Sequence, residues 1–164
     1  SFDLRDLGAD LTRVPDDIDT LLVVHPKALS RKTLYAIDQF VLAGGRAMVF
    51  VDPLAEVDNA RPDPENPLAL PNTASDMPEL LAAWGIELVP EEVAGDADNA
   101  IRVQYQQSRG VSTIEYLPWL SLGPENLSSA DFVTNQLTKV NLGSAGILRE
   151  LPDATTTLEP LAVT

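Results

Sequence analysis

The chain has no cysteine, and only one of its 164 residues is histidine. Disulfides, thiol nucleophiles and thiolate metal ligands are therefore excluded, which leaves carboxylates, hydroxyls and one imidazole for any chemistry. Basic residues are also scarce, with 11 Lys and Arg against 25 Asp and Glu for a formal net charge of −14. Arg13, Lys27, Arg46 and Lys139 are scattered rather than gathered in a stripe. Nucleic acid and anionic lipid surfaces both need a basic patch, so neither is an expected partner. The acidic excess reads first as a solubility device. Long hydrophobic runs are missing too: no window approaches the roughly twenty apolar residues of a membrane span, and no stretch of these residues reads as a secretory signal. A cysteine-free domain suits the cytosol and a bacterial periplasm equally.

Catalytic and phosphate-binding motifs are absent as well. There is no G-x-S-x-G elbow, and Ser144, in the sequence GSAG, lies far from any clear strand-to-helix turn. Gly44 and Gly45 precede a strand, the reverse of the arrangement in which glycines present amides at a helix N-terminus, so no dinucleotide or P-loop site is expected. The acidic pairs Asp16/Asp17, Glu91/Glu92 and Asp96/Asp98 lack the spacing of an EF-hand loop. No metal or cofactor is expected.

What is present is concentrated in residues 21–53, LLVVHPKALSRKTLYAIDQFVLAGGRAMVFVDP. Leu21–Val24 and Ala47–Val51 are short all-apolar runs without in/out alternation, and read as parallel strands buried on both faces. Between them Ser30 stands where a helix N-cap belongs, and Gly44 and Gly45 stop the helix. Leu34, Ile37 and Val41, with Phe40 beside them, form the stripe that covers the sheet. Phe2–Leu7 reads as an edge strand. A proline-rich surface loop occupies 54–74, where Pro62, Pro64, Pro67 and Pro71 remove backbone donors. Ser75 is the expected N-cap of a short helix carrying Met77, Leu80, Leu81 and Trp84 and ending at Gly85. Ile86–Val89 is then a strand expected to join the same parallel sheet. Ile101–Tyr105 and Val111–Tyr116 read as an antiparallel hairpin with Gly110 in the turn. Glu125–Leu127 suggests one helical turn, and Phe132–Leu137, Val140–Leu142 and Leu158–Val163 are candidate strands.

Two groups of residues are candidates for function. His25 and Asp52 follow the two parallel strands, at the carboxyl edge where ligand sites of open α/β sheets gather. Facing each other, they would suit general-base work or one half of a metal site, and they are the candidate ligand-binding residues. The alternative is structural, with His25 tying a loop and Asp52, before Pro53, forming an Asx-type turn. Tyr116 and Trp119 stand in YLPWLSL, the densest apolar and aromatic cluster outside the strands. They are candidate partner-binding anchors or core plugs.

The order of these segments resembles the auxiliary component of gliding-motility-related ABC transport systems. The residues that carry the resemblance are the 21–53 block, LLAAWGIELVP at 80–90, VAGDADNA, YLPWLSL at 116–122 and the closing ATTTLEPLAVT. It implies a Rossmann-like, mostly parallel sheet with helices on both faces, similar in layout to class I glutamine amidotransferases but lacking their cysteine. An antiparallel β extension is expected in the second half. It also implies a periplasmic, extracytoplasmic domain of an inner-membrane protein, partnered by the membrane and ATPase subunits of its transporter. Residues 1–164 are expected to form one α/β domain cut from a longer protein, touching the membrane only through segments outside it. The expected role is non-catalytic binding of a partner protein or envelope ligand. The alternatives are a hydrolase or sugar-active enzyme using His25 and Asp52, and a structural spacer.

Overall fold

The computed structural model describes residues 3–62, 64–66, 68–108 and 110–164. The strand, helix, strand unit is present as read. β1 (Thr20–Val24) pairs in parallel with β2 (Arg46–Phe50), and α1 (Arg31–Leu42) connects them. Ser30 caps α1, its hydroxyl accepting from the Thr33 amide at 3.2 Å. Gly44, at φ +94°, takes the left-handed turn that ends the helix. Ile37 and Leu21 are buried with Val14, Met77 and Leu80, and Leu34 and Phe40 pack against that cluster.

The faces of these strands are not both buried. Leu21 and Val23 turn toward α1, whereas Leu22, Val24, Met48 and Phe50 on the opposite face are 52–61% exposed. All-apolar strands signal two covered faces, but here only one is covered within the described residues.

The Rossmann-like expectation is overturned. Among the described residues the β1–β2 pair takes no further strand, and the largest sheet is antiparallel, in the order β4 (Ala100–Gln107), β5 (Gly110–Leu122), β6 (Val140–Gly143). β3 (Ile86–Leu88) does not join β1 and β2. It pairs antiparallel with β7 (Leu148–Glu150), in a register that sets Glu87 opposite Arg149 with an ion pair at 3.0 Å. A parallel sheet grows by helical crossovers that return each strand beside the last. After β2 the chain enters its proline-rich stretch and then a single six-residue helix, α2 (Pro78–Ala83), before β3. Among the described residues no element like α1 follows, and no helix covers the second face.

Other boundaries moved for local reasons. Ser75 does not cap α2; its hydroxyl accepts from the Asp52 amide at 3.0 Å and its backbone bridges Asp52, so the helix begins after Met77 with Pro78 in its first turn. Residues 3–7 form no strand, and Phe2 lies outside the described residues. The stretch 132–137 holds a 3-10 turn, Thr134–Gln136, anchored by Asp131 Oδ1 accepting from the amides of Val133 and Thr134. Leu158–Val163 contributes only an isolated bridge between Ala162 and Leu127.

The predicted hairpin is β4–β5, closed between Gln107 and Gly110; Arg109 in its turn lies outside the described residues. β5 runs on past the predicted end through Pro118. Ile101 pairs with Tyr116 but Ala100 with Leu120, so Leu117, Pro118 and Trp119 bulge out of the β4 ladder. Proline lacks an amide to donate and is accommodated at such a bulge.

Candidate binding site at the carboxyl end of β1

The chain leaves β1 through His25 and Ala28, both left-handed at φ +51° and +49°. The His25 amide still donates to Phe50 O at 3.0 Å, completing the ladder. Its ring does not meet Asp52. Asp52 Oδ1 accepts from the Leu54 amide at 2.9 Å, the Asx-type turn that opens the proline-rich loop. The carboxylate beside His25 is Asp58, whose Oδ2 lies 3.2 Å from Nε2 and also receives the Lys27 ammonium. Lys27 donates further to Asn72 O at 2.8 Å. The sequence expectation set Asp52 opposite His25; the ring instead meets Asp58, and Asp52 turns to the Leu54 amide. Asp58 sits in the proline-rich loop, where no strand register fixes its position.

The loop is held at a second point. Glu56 Oε1 accepts from Trp119 Nε1 at 2.9 Å and from the hydroxyl of Ser144. Ser144 is fully buried and left-handed at φ +49°, and its amide donates to Pro118 O at 2.8 Å. Tyr116 packs edge-on against Trp119, with ring centroids 5.6 Å apart and planes at 86°, an arrangement favoured by the ring quadrupoles. Tyr116 remains exposed while Trp119 is half-buried and pinned. One residue of each predicted site pair, His25 and Trp119, thus contacts a different point of one loop.

Both loop carboxylates are held below their ordinary values. For Glu56 the chief cause is the Ser144 hydroxyl, then the Trp119 indole; for Asp58 it is the Lys27 ammonium, then His25. A carboxylate whose folded value is depressed stabilises the fold in full at neutral pH. That contribution is lost as pH falls through the lowered folded values, which lie beneath 4.5 for Glu56 and 3.8 for Asp58. With Trp84 replaced by Phe, Trp119 is the sole tryptophan. Its emission is expected to hold steady down to about pH 5 and to change only in the more acidic range where Glu56 takes up its proton. Glu56→Gln should abolish that step; an unchanged step would assign the transition elsewhere.

Chemically the site is quiet. An ammonium already neutralises the carboxylate that would orient His25 as a base. No hydrogen bond joins His25 to a serine among the described residues. Nor do three His, Asp or Glu side chains gather where they could hold a metal ion among those residues. Among the described residues no helix is long and apolar enough to cross a membrane.

The class these features define is an assembly of small sheets, the largest antiparallel, with few helices, in which polar side chains serve as pins and the β1–β2 pair presents an open apolar face. The family described as ABC-type uncharacterized transport system, auxiliary component, matches residues 1–164, and the chain belongs to it. Comparison with curated proteins and with solved structures gave no match.

Proposed function

We propose that the chain is a non-catalytic accessory domain of an ABC transport system that works by docking a protein subunit of that system, on the extracytoplasmic side of the membrane. The observation that carries this reading is the division of labour at the site. His25, Lys27, Asp58, Glu56 and Ser144 are engaged with one another or with backbone, while Leu22, Val24, Met48 and Phe50 lie open to solvent. A contiguous exposed apolar patch marks an interaction surface more often than an active site. Membership of an auxiliary family supports the same reading.

Tagged full-length protein, purified from gently solubilised membranes, should retain the membrane or ATPase subunits of its system. Met48→Lys and Phe50→Lys are expected to lose them while keeping the wild-type circular dichroism. Retention by both variants would remove this face from the interaction, and hydrolytic activity that vanishes in His25→Ala would overturn the non-catalytic reading.

A further inference from the structure

The edge of β1 turned away from β2 borders a cavity of about 750 Å3, walled on its far side by residues 3–9 and floored by Thr33 and Ile37 of α1. We propose that this cavity is a strand slot: an extended apolar strand flanked by Lys or Arg, supplied by a protein partner, inserts between residues 3–9 and β1 and adds to the sheet. The proposal rests on the partner-docking reading above and gives it a mode.

The backbone sets the requirement. Because the His25 amide bonds Phe50 O, residues 21, 23 and 25 direct their polar groups at β2. Those of Leu22 and Val24 point into the slot. Among the described residues no backbone hydrogen bond runs from residues 3–9 to that edge. The segment is instead moored beyond it, where the Thr33 hydroxyl donates to Ala9 O at 3.1 Å and accepts from the Leu11 amide at 3.2 Å. An unpaired strand edge inside a groove is the geometry of β-strand addition.

The dimensions agree. Five residues of strand, at about 3.3 Å per residue, 4.8 Å between strands and 10 Å between layers, fill roughly 800 Å3. One strand fits and a second folded sheet edge does not, since residues 3–9 close the far side. The lining is apolar through Leu4, Leu7, Leu11, Ile18 and Leu21, so the inserted side chains must be apolar as well.

Charge selects among occupants. Arg5 and Lys27 are paired with Asp17 and Asp58, which leaves Asp3 and Asp6 to set the sign of the rim. A second copy would bring another net charge of −14 to the first, whereas a strand with basic flanks is attracted.

The test uses a synthetic Val/Ile/Thr peptide flanked by lysines, long enough to span β1, and the same peptide N-methylated at alternate residues so that one edge cannot donate. The plain peptide is expected to bind and to protect the amides of Leu22 and Val24 from hydrogen exchange. Methylation is expected to weaken binding by about tenfold or more, as is Leu22→Pro, which removes a slot-facing donor but none of the β1–β2 ladder. No binding, or equal binding of the methylated peptide, overturns the slot; this arm stands on the wild-type protein even if the proline variant fails to fold. Self-association that the peptide displaces assigns the groove to a second copy and overturns a partner strand. Subunits that co-purify equally with wild type and a folded Leu22→Pro reject the slot and leave the accessory reading intact. Methylation-sensitive peptide binding without any co-purifying subunit does the reverse.

Discussion

Ile37→Ala is expected to lower the unfolding free energy by about 3 to 4 kcal/mol, measured by chemical denaturation with the slope unchanged. Ile37 is 2% exposed at the centre of the cluster formed with Val14, Leu21, Met77 and Leu80. These residues belong to the segment before β1, to β1 itself, and to the start of α2. Truncation removes contacts to three parts of the chain that α1 alone brings together. Ile37→Val should cost only about 0.5–1.5 kcal/mol, because the β-branched shape that fills the site is kept. A loss for the alanine variant no larger than for valine would mean that the cluster collapses onto the space, and that α1 is held chiefly by its caps. Since domains of this size are stable by about 5–15 kcal/mol, the expected loss is a large share of the total.

Gly85→Ala should be comparably damaging for a different reason, by about 2–5 kcal/mol. Gly85 sits at φ +78° between α2 and β3, and a Cβ there would lie 2.6 Å from the Ala154 Cβ and 3.1 Å from its Cα. The left-handed backbone alone costs about 1–2 kcal/mol for an L side chain, and forcing atoms into a filled site about 1–3 more. The carbonyl of Gly85 also accepts from the Leu151 amide at 2.8 Å, so relief by backbone movement would loosen the approach to β7. Gly44→Ala separates the two causes. Gly44 has φ +94° but nothing within 4 Å of its Cβ position, and only the conformational part should remain. Equal losses at the two sites, read from paired denaturation curves, would show that the contact with Ala154 is relieved without cost.

The parts of the fold legible in the sequence were those written in neighbouring residues. Ser30, the apolar spacing of α1 and Gly44 each act within a few residues of themselves, so α1 and its flanking strands were readable. Pairing between distant strands was not. Nothing near Ile86 says that Arg149 will stand opposite Glu87, and the apolar runs of β1 and β2 read as buried on both faces although, among the described residues, the face carrying Leu22, Val24, Met48 and Phe50 stays open. Ser75 shows the same limit in miniature: a good cap by type, its hydroxyl is taken by the Asp52 amide, across the loop. In the candidate site the place of His25 after a strand is legible, while its contact with Asp58 is not, because loop geometry, not strand register, brings that carboxylate there. Trp119 was singled out by composition, but its attachment to Glu56 has no sequence signal.

One ammonium also helps to close the proline-rich loop. By holding both the Asp58 carboxylate and the Asn72 carbonyl, Lys27 fastens the two ends of the intervening stretch to the chain just beyond β1, much as a clasp closes a necklace. Whatever lies between the fastened ends can change in length at little thermodynamic cost, since each doubling of a flexible loop adds only about 0.6 kcal/mol of closure entropy. The fixed path on either side of the clasp is then decoupled from the stretch it encloses, and residues inserted there are expected to leave the groove beside β1 in its shape.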